Sequence, residues 1–252
     1  MPTRLALTAL VAFIALAPTV HAADSDALWK IISTQCLPNE REYGQASPCA
    51  VVDINDGEAK GYVVLKDREG DTQYLVMPTA KITGIEDPQV IAPGATNYFA
   101  DAWLQRHHTV DAAKVALPRD AISLAVNSTL GRSQNQLHVH IDCVRADVRD
   151  AVQRQLAAIG DKWAPLAEPL ARHPYLAMRV AGEDLGDKNP FMLLADTDAR
   201  ASMGSHTLVA LGVVLPGGQP GFVILAGQAN PATGDRASGE ELQDHNCAIA
   251  HR

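Results

Sequence analysis

The chain has 252 residues, 47% of them hydrophobic, and a formal net charge of -8. That much apolar material supports one large or two small domains with a real core and argues against a disordered chain. The acidic balance leaves no basic footprint for DNA or RNA, so nucleic acid is excluded as a partner. An anionic substrate has to be held by a local group of cations and backbone N–H donors.

The chain opens with Arg4, an uncharged apolar run from Leu5 to Ala17, and then Pro18-Thr19-Val20-His21-Ala22. The small residues Val20 and Ala22 suit signal peptidase cleavage after Ala22. The apolar run is short for a membrane span, which needs ~20 residues. Residues 1–22 therefore read as a signal peptide or as an uncleaved membrane anchor, and 23–252 as an exported, periplasmic domain. In an oxidising compartment Cys36, Cys49, Cys143 and Cys247, which lack Cys-x-x-Cys spacing, are expected to form two disulfides. Four cysteines allow three connectivities. The favoured one pairs Cys36 with Cys49 and Cys143 with Cys247, which ties a strand end to the C-terminus.

Ser25 to Ser33 has helical spacing, with Asp24 or Ser25 as N-cap and a Pro-containing loop following to Val51. Gly61 to Lys66 and Thr72 to Met77 are β-rich runs joined by a turn signal at 67–71, a hairpin that Pro78 closes. Asn97 to His108 reads as a helix and Ala121 to Val126 as an apolar strand. Asp147 to Ile159 carries Val148, Val152, Leu156 and Ile159 on one stripe, a helix ended by Gly160. Tyr175 to Val180 reads as a strand and Asn189 to Met203 as a helix beginning at Pro190. Thr207 to Leu215 and Gly221 to Ala226 form a hairpin around Pro216-Gly217-Gly218, and Glu240 to Ile249 a short terminal helix. The fold class expected is α+β, with two successive sheet-and-helix halves that suggest an internal pseudo-dimer.

The chemistry concentrates in Gln136-Leu137-His138-Val139-His140-Ile141-Asp142. On a strand this alternation puts Gln136, His138, His140 and Asp142 on one face, same-face neighbours being about 6.5 to 7 Å apart. Neutral imidazole is nucleophilic, titrates near neutrality and has a second nitrogen by which a neighbour can orient it. One ring can attack phosphorus while the other positions an oxygen or hands a proton to the leaving group. Just upstream, Gly131, Arg132 and Ser133 read either as a phosphate-binding turn or as a surface turn.

Other readings compete. His138, His140 and Asp142, completed by His107 or His108, have the ligand types of a zinc hydrolase, although no distal ligand stands at a recognisable spacing. His107-His108 ends the expected helix, where contacts to its C-terminal dipole account for the pair. His173 and His245 are either pocket residues from the second half or surface and capping histidines. Ser202-Met203-Gly204-Ser205 is either a phosphate-approaching turn or a helix C-cap.

Gln73-Tyr74-Leu75-Val76-Met77-Pro78-Thr79-Ala80-Lys81-Ile82, Asn127, Gly131-Arg132-Ser133 and Leu137-His138-Val139-His140-Ile141 resemble the strand, loop and histidine strand of the histidine triad superfamily. Within it, Cys36-Leu37-Pro38-Asn39, Gly61 to Asp67, Cys143-Val144-Arg145, Asp147-Val148-Arg149, Ser202 to Ser205 and Gln243-Asp244-His245-Asn246-Cys247 resemble the bacterial CDP-diacylglycerol pyrophosphatase family over nearly the whole mature length. The resemblance implies an antiparallel histidine triad-like sheet and hydrolysis of CDP-diacylglycerol to CMP and phosphatidate, with no obligatory metal or cofactor, at or near a membrane surface. It makes His138 the nucleophile, His140 its supporter, and Arg132, Ser133, Asn127 and Lys81 holders of the diphosphate. Gln136 stands where the superfamily has its first histidine; it can donate and accept hydrogen bonds but cannot change charge. That departure is the one feature favouring an inactive lipid-nucleotide binding module. Lys81, where many members have histidine, reads as a phosphate contact or a solvated loop residue.

Overall fold

The computed structural model describes residues 24–251, so the leader lies outside the described residues. Helix α1 (Ala27–Ile31) runs through a wider π-turn at Ile32–Cys36 straight into α2 (Leu37–Tyr43). Helix therefore replaces the first part of the expected Pro loop. Pro38 lies just after the π-turn of this continuous helix, and the wider turn makes room for a ring that has no N–H to donate. Gly44, at φ 63°, closes the helix in the left-handed conformation that glycine takes most readily.

Nine strands form one antiparallel sheet in the order β1-β2-β3-β5-β4-β8-β9-β7-β6. They are β1 (Val51–Asp53), β2 (Tyr62–Lys66), β3 (Tyr74–Pro78), β4 (Ile122–Val126), β5 (Val139–Cys143), β6 (Ala164–Pro165), β7 (Leu176–Ala181), β8 (His206–Val214) and β9 (Pro220–Gln228). Both expected hairpins are present, β2 with β3 and β8 with β9. Pairing on β5 begins only at Val139, so Gln136 and His138 precede the ladder rather than belonging to it.

One face of the sheet is covered by α3 (Tyr98–Leu104) and α6 (Pro190–Ala195). Their Phe99 and Phe191 meet edge-to-face at 5.1 Å, and Trp103 meets Phe222 of β9 at 4.7 Å, all over Val76, Val139, Ile141, Leu124 and Ile224. The other face carries two separate apolar clusters. Ile32, Leu37 and the Cys36–Cys49 bridge cover Val63, Leu75 and Met77. Helix α5 (Ala146–Gln155) and the C-terminal segment, bridged by Cys143–Cys247, cover Ala125, Val209 and Val223.

Four expected helices change. Asn97–His108 splits into α3 and α4 (His107–Ala113), so His107 and His108 open a helix rather than end one, and the C-terminal dipole account falls. The helix expected from Asp147 to Ile159 starts at Ala146 and ends at Gln155. The helix from Asn189 stops at Ala195, because Thr197 turns extended and its hydroxyl accepts the Ala199 N–H to start a new 3-10 segment, Asp198–Ser205. The terminal helix is instead two 3-10 turns, Gly239–Leu242 and Ala248–His251, separated by Gln243 bridging to Val144. Among the described residues no helix is long and apolar enough to cross a membrane.

Candidate active site

Strand alternation sends Val139 and Ile141 into the helix-covered core and turns His140 and Asp142 to the opposite face. There His140 stands between its cross-strand partners Leu75 and Ala125, one from each of the two apolar clusters. The histidines thus occupy a polar seam between two hydrophobic patches, and His138 and His140 are both buried. Their ring centroids lie 4.7 Å apart, with planes at 69°.

His138 Nδ1 lies 2.6 Å from the carbonyl oxygen of Gln136. A carbonyl can only accept, so this nitrogen carries the proton and Nε2 keeps its lone pair. Burial first, and then the neighbouring His140 ring, push the ionisation of His138 down to about 4. At neutral pH it is an uncharged imidazole of fixed tautomer.

Glu240, which the sequence did not single out, comes to the seam from the C-terminal segment. Its Oε1 stands 3.2 Å from His140 Nδ1. That is within ion-pair distance, yet the ring is turned so that neither of its nitrogens makes a hydrogen bond. Oε2 accepts from Asn127 Nδ2 at 2.5 Å and Oε1 from Gln73 Nε2 at 3.3 Å. Burial opposes ionisation of this carboxyl, but the His140 ring and the Asn127 amide outweigh it and hold Glu240 below the usual carboxylate range. Around the seam Gln73 Oε1, Gln136 Oε1, Gln243 Oε1 and both His140 nitrogens are buried without a hydrogen-bond partner. Such a concentration of orphaned polar atoms is rare in a folded interior and marks a place suited to a polar ligand or water.

The remaining sequence candidates are distributed unevenly. Gln136 is fully buried, its amide donating to the carbonyls of Pro78 (3.0 Å) and Ala80 (2.9 Å), so it fixes the approach to the histidine strand. Asn127 lies in the seam, but its oxygen takes the Ser238 hydroxyl and Glu240 N–H, which makes it a clamp on the C-terminal segment. Arg132 forms a two-bond fork with Glu86, 2.6 and 2.5 Å, and is nearly closed off from solvent. Ser133 is exposed and makes no side-chain hydrogen bond among the described residues. Lys81 is half-exposed, 3.5 Å from Asp26.

The zinc set is not assembled. His108 stacks at 5.1 Å on Tyr74, whose strand partner is Ile141, so α4 lies across the sheet from His138 and His140. Asp142 is occupied: Oδ1 accepts from Thr72 and the Cys143 N–H, and Oδ2 lies 2.7 Å from His245 Nδ1. Among the described residues no group of three or more His, Cys, Asp or Glu side chains is placed to hold a metal ion. His245 is thereby a brace on β5, and its bond to Asp142 raises its ionisation above the ordinary histidine value. His173 bonds to Glu241, as does Tyr175, on the wall of a separate cavity of about 840 Å³. Gly204 of the Ser202–Ser205 turn accepts the Thr129 N–H at 2.8 Å and so supports the loop leaving β4.

Against this geometry, the protein-family model described as CDP-diacylglycerol pyrophosphatase matches residues 23–251. The chain belongs to that family. Membership makes it a hydrolase and implies CDP-diacylglycerol as substrate. Gln73 and Gln243 stood in the stretches that carried the sequence resemblance; Glu240 had no local signal, because its partner His140 is a hundred positions away.

Proposed function

We propose that this family member cleaves the diphosphate of CDP-diacylglycerol through a covalent nucleotidyl-histidine intermediate. Nε2 of His138 attacks the phosphorus attached to cytidine; an N–P bond forms and the P–O bond to phosphatidate breaks. Water then attacks the same phosphorus, the N–P bond breaks and CMP leaves. The observation that carries this reading is the 2.6 Å bond from His138 Nδ1 to the Gln136 carbonyl, which leaves Nε2 as an unprotonated nucleophile. His140, beside it, faces the departing and arriving oxygens. Ser133 and Lys81 contact the diphosphate from the loops around Gln136, and Arg132 does so by exchanging one of its Glu86 bonds for a phosphate oxygen.

The fold is read as histidine triad-like and internally duplicated. The order β2-β3-β5-β4 on one side is matched by β6-β7-β9-β8 on the other, with α3 joining β3 to β4 and α6 joining β7 to β8. Residues 1–22 act as an export signal or retained anchor that keeps the enzyme by its lipid substrate, a reading with which two disulfides are compatible.

The test uses CDP-diacylglycerol labelled in the cytidylyl phosphate, with acid-free quenching and gel analysis. Wild type is expected to retain label and His138→Ala to retain none and to lose turnover; normal labelling of His138→Ala overturns the reading.

A further inference from the structure

The histidine strand alone leaves His140 with two unbonded ring nitrogens and no charge partner on its own strand, since Asp142 is committed to Thr72 and His245. Among the described residues, the one carboxylate within ion-pair distance arrives from the C-terminal segment. We propose that Glu240 is a positioning residue for the reaction: it holds His140 as the cationic proton donor that faces His138, so that the C-terminal segment completes the site. The proposal rests on the nucleotidyl-histidine reading above.

Glu240 is itself held in place from both sides. Asn127 Nδ2 and Gln73 Nε2 grip its two oxygens, and Asn127 Oδ1 also takes its backbone N–H at 3.4 Å. A carboxylate taken from water is costly unless charge and hydrogen bonds compensate, and two amides offer no charge. The ring within ion-pair distance of its Oε1 is His140, whose Nδ1 lies 3.2 Å away. Beyond Glu240, Gln243 Nε2 donates to the Ser123 carbonyl and points at the His140 carbonyl, 3.4 Å away. The Cys143–Cys247 bridge then fastens the segment to the end of β5. These attachments fix Glu240 relative to His140 rather than leaving it on a loose tail.

The ionisable groups around His140 leave this pairing unopposed. His138 on its own strand is neutral, Asp142 and His245 satisfy each other, and Arg132 from the preceding loop is matched by Glu86. With the Glu240 carboxylate 3.2 Å from Nδ1, His140 Nε2–H gives its proton to the phosphatidate oxygen as the P–O bond breaks. In the second half-reaction the same nitrogen takes a proton from the attacking water, and the starting state returns.

Glu240→Gln keeps shape and hydrogen bonds but removes the charge. With CDP-diacylglycerol, kcat and the labelling rate are expected to fall roughly 10- to 100-fold, KM to change little, and the alkaline limb of the kcat profile to move to lower pH. With cytidine 5′-(p-nitrophenyl phosphate), whose leaving group departs without a proton, the variant is expected to match wild type in the p-nitrophenolate burst, which reports the first half-reaction alone, and to lose steady-state turnover at the water-attack step that both substrates share. Glu240→Asp, which keeps the charge but retracts it, gives an intermediate loss of labelling rate on the lipid substrate and none in the p-nitrophenolate burst. Wild-type labelling rate in Glu240→Gln overturns the proposal, as does an equal loss in both variants of the lipid labelling rate and the p-nitrophenolate burst. Absence of label in the wild type defeats the underlying mechanism instead, so the two failures are distinct.

Discussion

The strand pairs β4–β5 and β8–β9 sit side by side in one sheet and are built differently. β8 and β9 are joined by a tight turn through Pro216-Gly217-Gly218 and pair over nine residues, His206↔Gln228 to Val214↔Pro220, almost all of them apolar. β4 and β5 pair over four, Ile122↔Cys143 to Ala125↔His140, and are joined by the long loop that carries Arg132 and Ser133. The first pair holds itself together. The second gives up ladder length and places Ser123, His140 and Asp142 on one face, and so needs support from outside: the C-terminal segment, the Cys143–Cys247 bridge and the Asp142–His245 bond. Stability and chemistry are thus divided between neighbouring halves of one sheet.

That division is broken most directly at the disulfides. Opening Cys143–Cys247, which spans 104 positions, with serines is expected to cost about 5 kcal/mol, against about 3 for the 13-position Cys36–Cys49 bridge. Denaturant titration measures both losses. Only the former variant, still folded at low temperature, should also lose nucleotidylation, because only that bridge fastens the segment carrying Glu240. Phe222→Ala on β9 makes the converse case. It removes a fully buried ring packed on Trp103 and is expected to cost about 3 kcal/mol. The folded fraction should keep its kcat, and a large drop in kcat would show that the apolar half shares in the chemistry.

Proton linkage separates the groups on β5 itself. The ionisation of His138 in the folded protein is depressed from 6.5 to about 4, so between those values the unfolded chain binds the extra proton. The loss is nil above 6.5, grows as pH falls toward 4, and reaches about 3 kcal/mol. His138→Gln should flatten that acid-side loss in melts taken from pH 7 to pH 4. His245 runs the other way: raised by Asp142, it stabilises below its unfolded value and loses that contribution as pH rises through its folded one. His245→Gln should flatten the alkaline side and leave the acid side as in wild type.

The sequence carried the apolar-polar alternation that puts His140 and Asp142 on one face of β5, because a strand of period two permits no other arrangement, whereas Gln136 and His138, expected on the same strand, lie before its ladder. It carried both hairpins, whose turn residues are local signals. It did not carry the split between α3 and α4, since Asn97 to His108 keeps helical spacing through the break, while α4 is tied to β5 by the bond from the Thr109 hydroxyl to the Ile141 carbonyl, remote in sequence. Nor did it show that Arg132 is forked to Glu86, or that Asp142 braces His245, since each partner lies far away along the chain. Residue type suggested phosphate and metal ligands at these places; the fold gave the same side chains a structural partner. Glu240 is the reverse case, an unremarkable acid in sequence that tertiary structure brings to a histidine.

The smallest effect concerns Gln136, where the superfamily pattern has a histidine. Its one amide nitrogen donates twice, to Pro78 and Ala80, and so joins the end of β3 to the start of the histidine strand. An imidazole in the same buried space points one N–H at these carbonyls and leaves the other unpaired. Gln136→His is therefore expected to lose about 1 kcal/mol of stability and not to accelerate labelling, since the tautomer of His138 is set by the Gln136 main chain, which the substitution leaves in place. A faster burst of labelled enzyme from Gln136→His would mean that the side chain, and not the carbonyl behind it, governs the nucleophile.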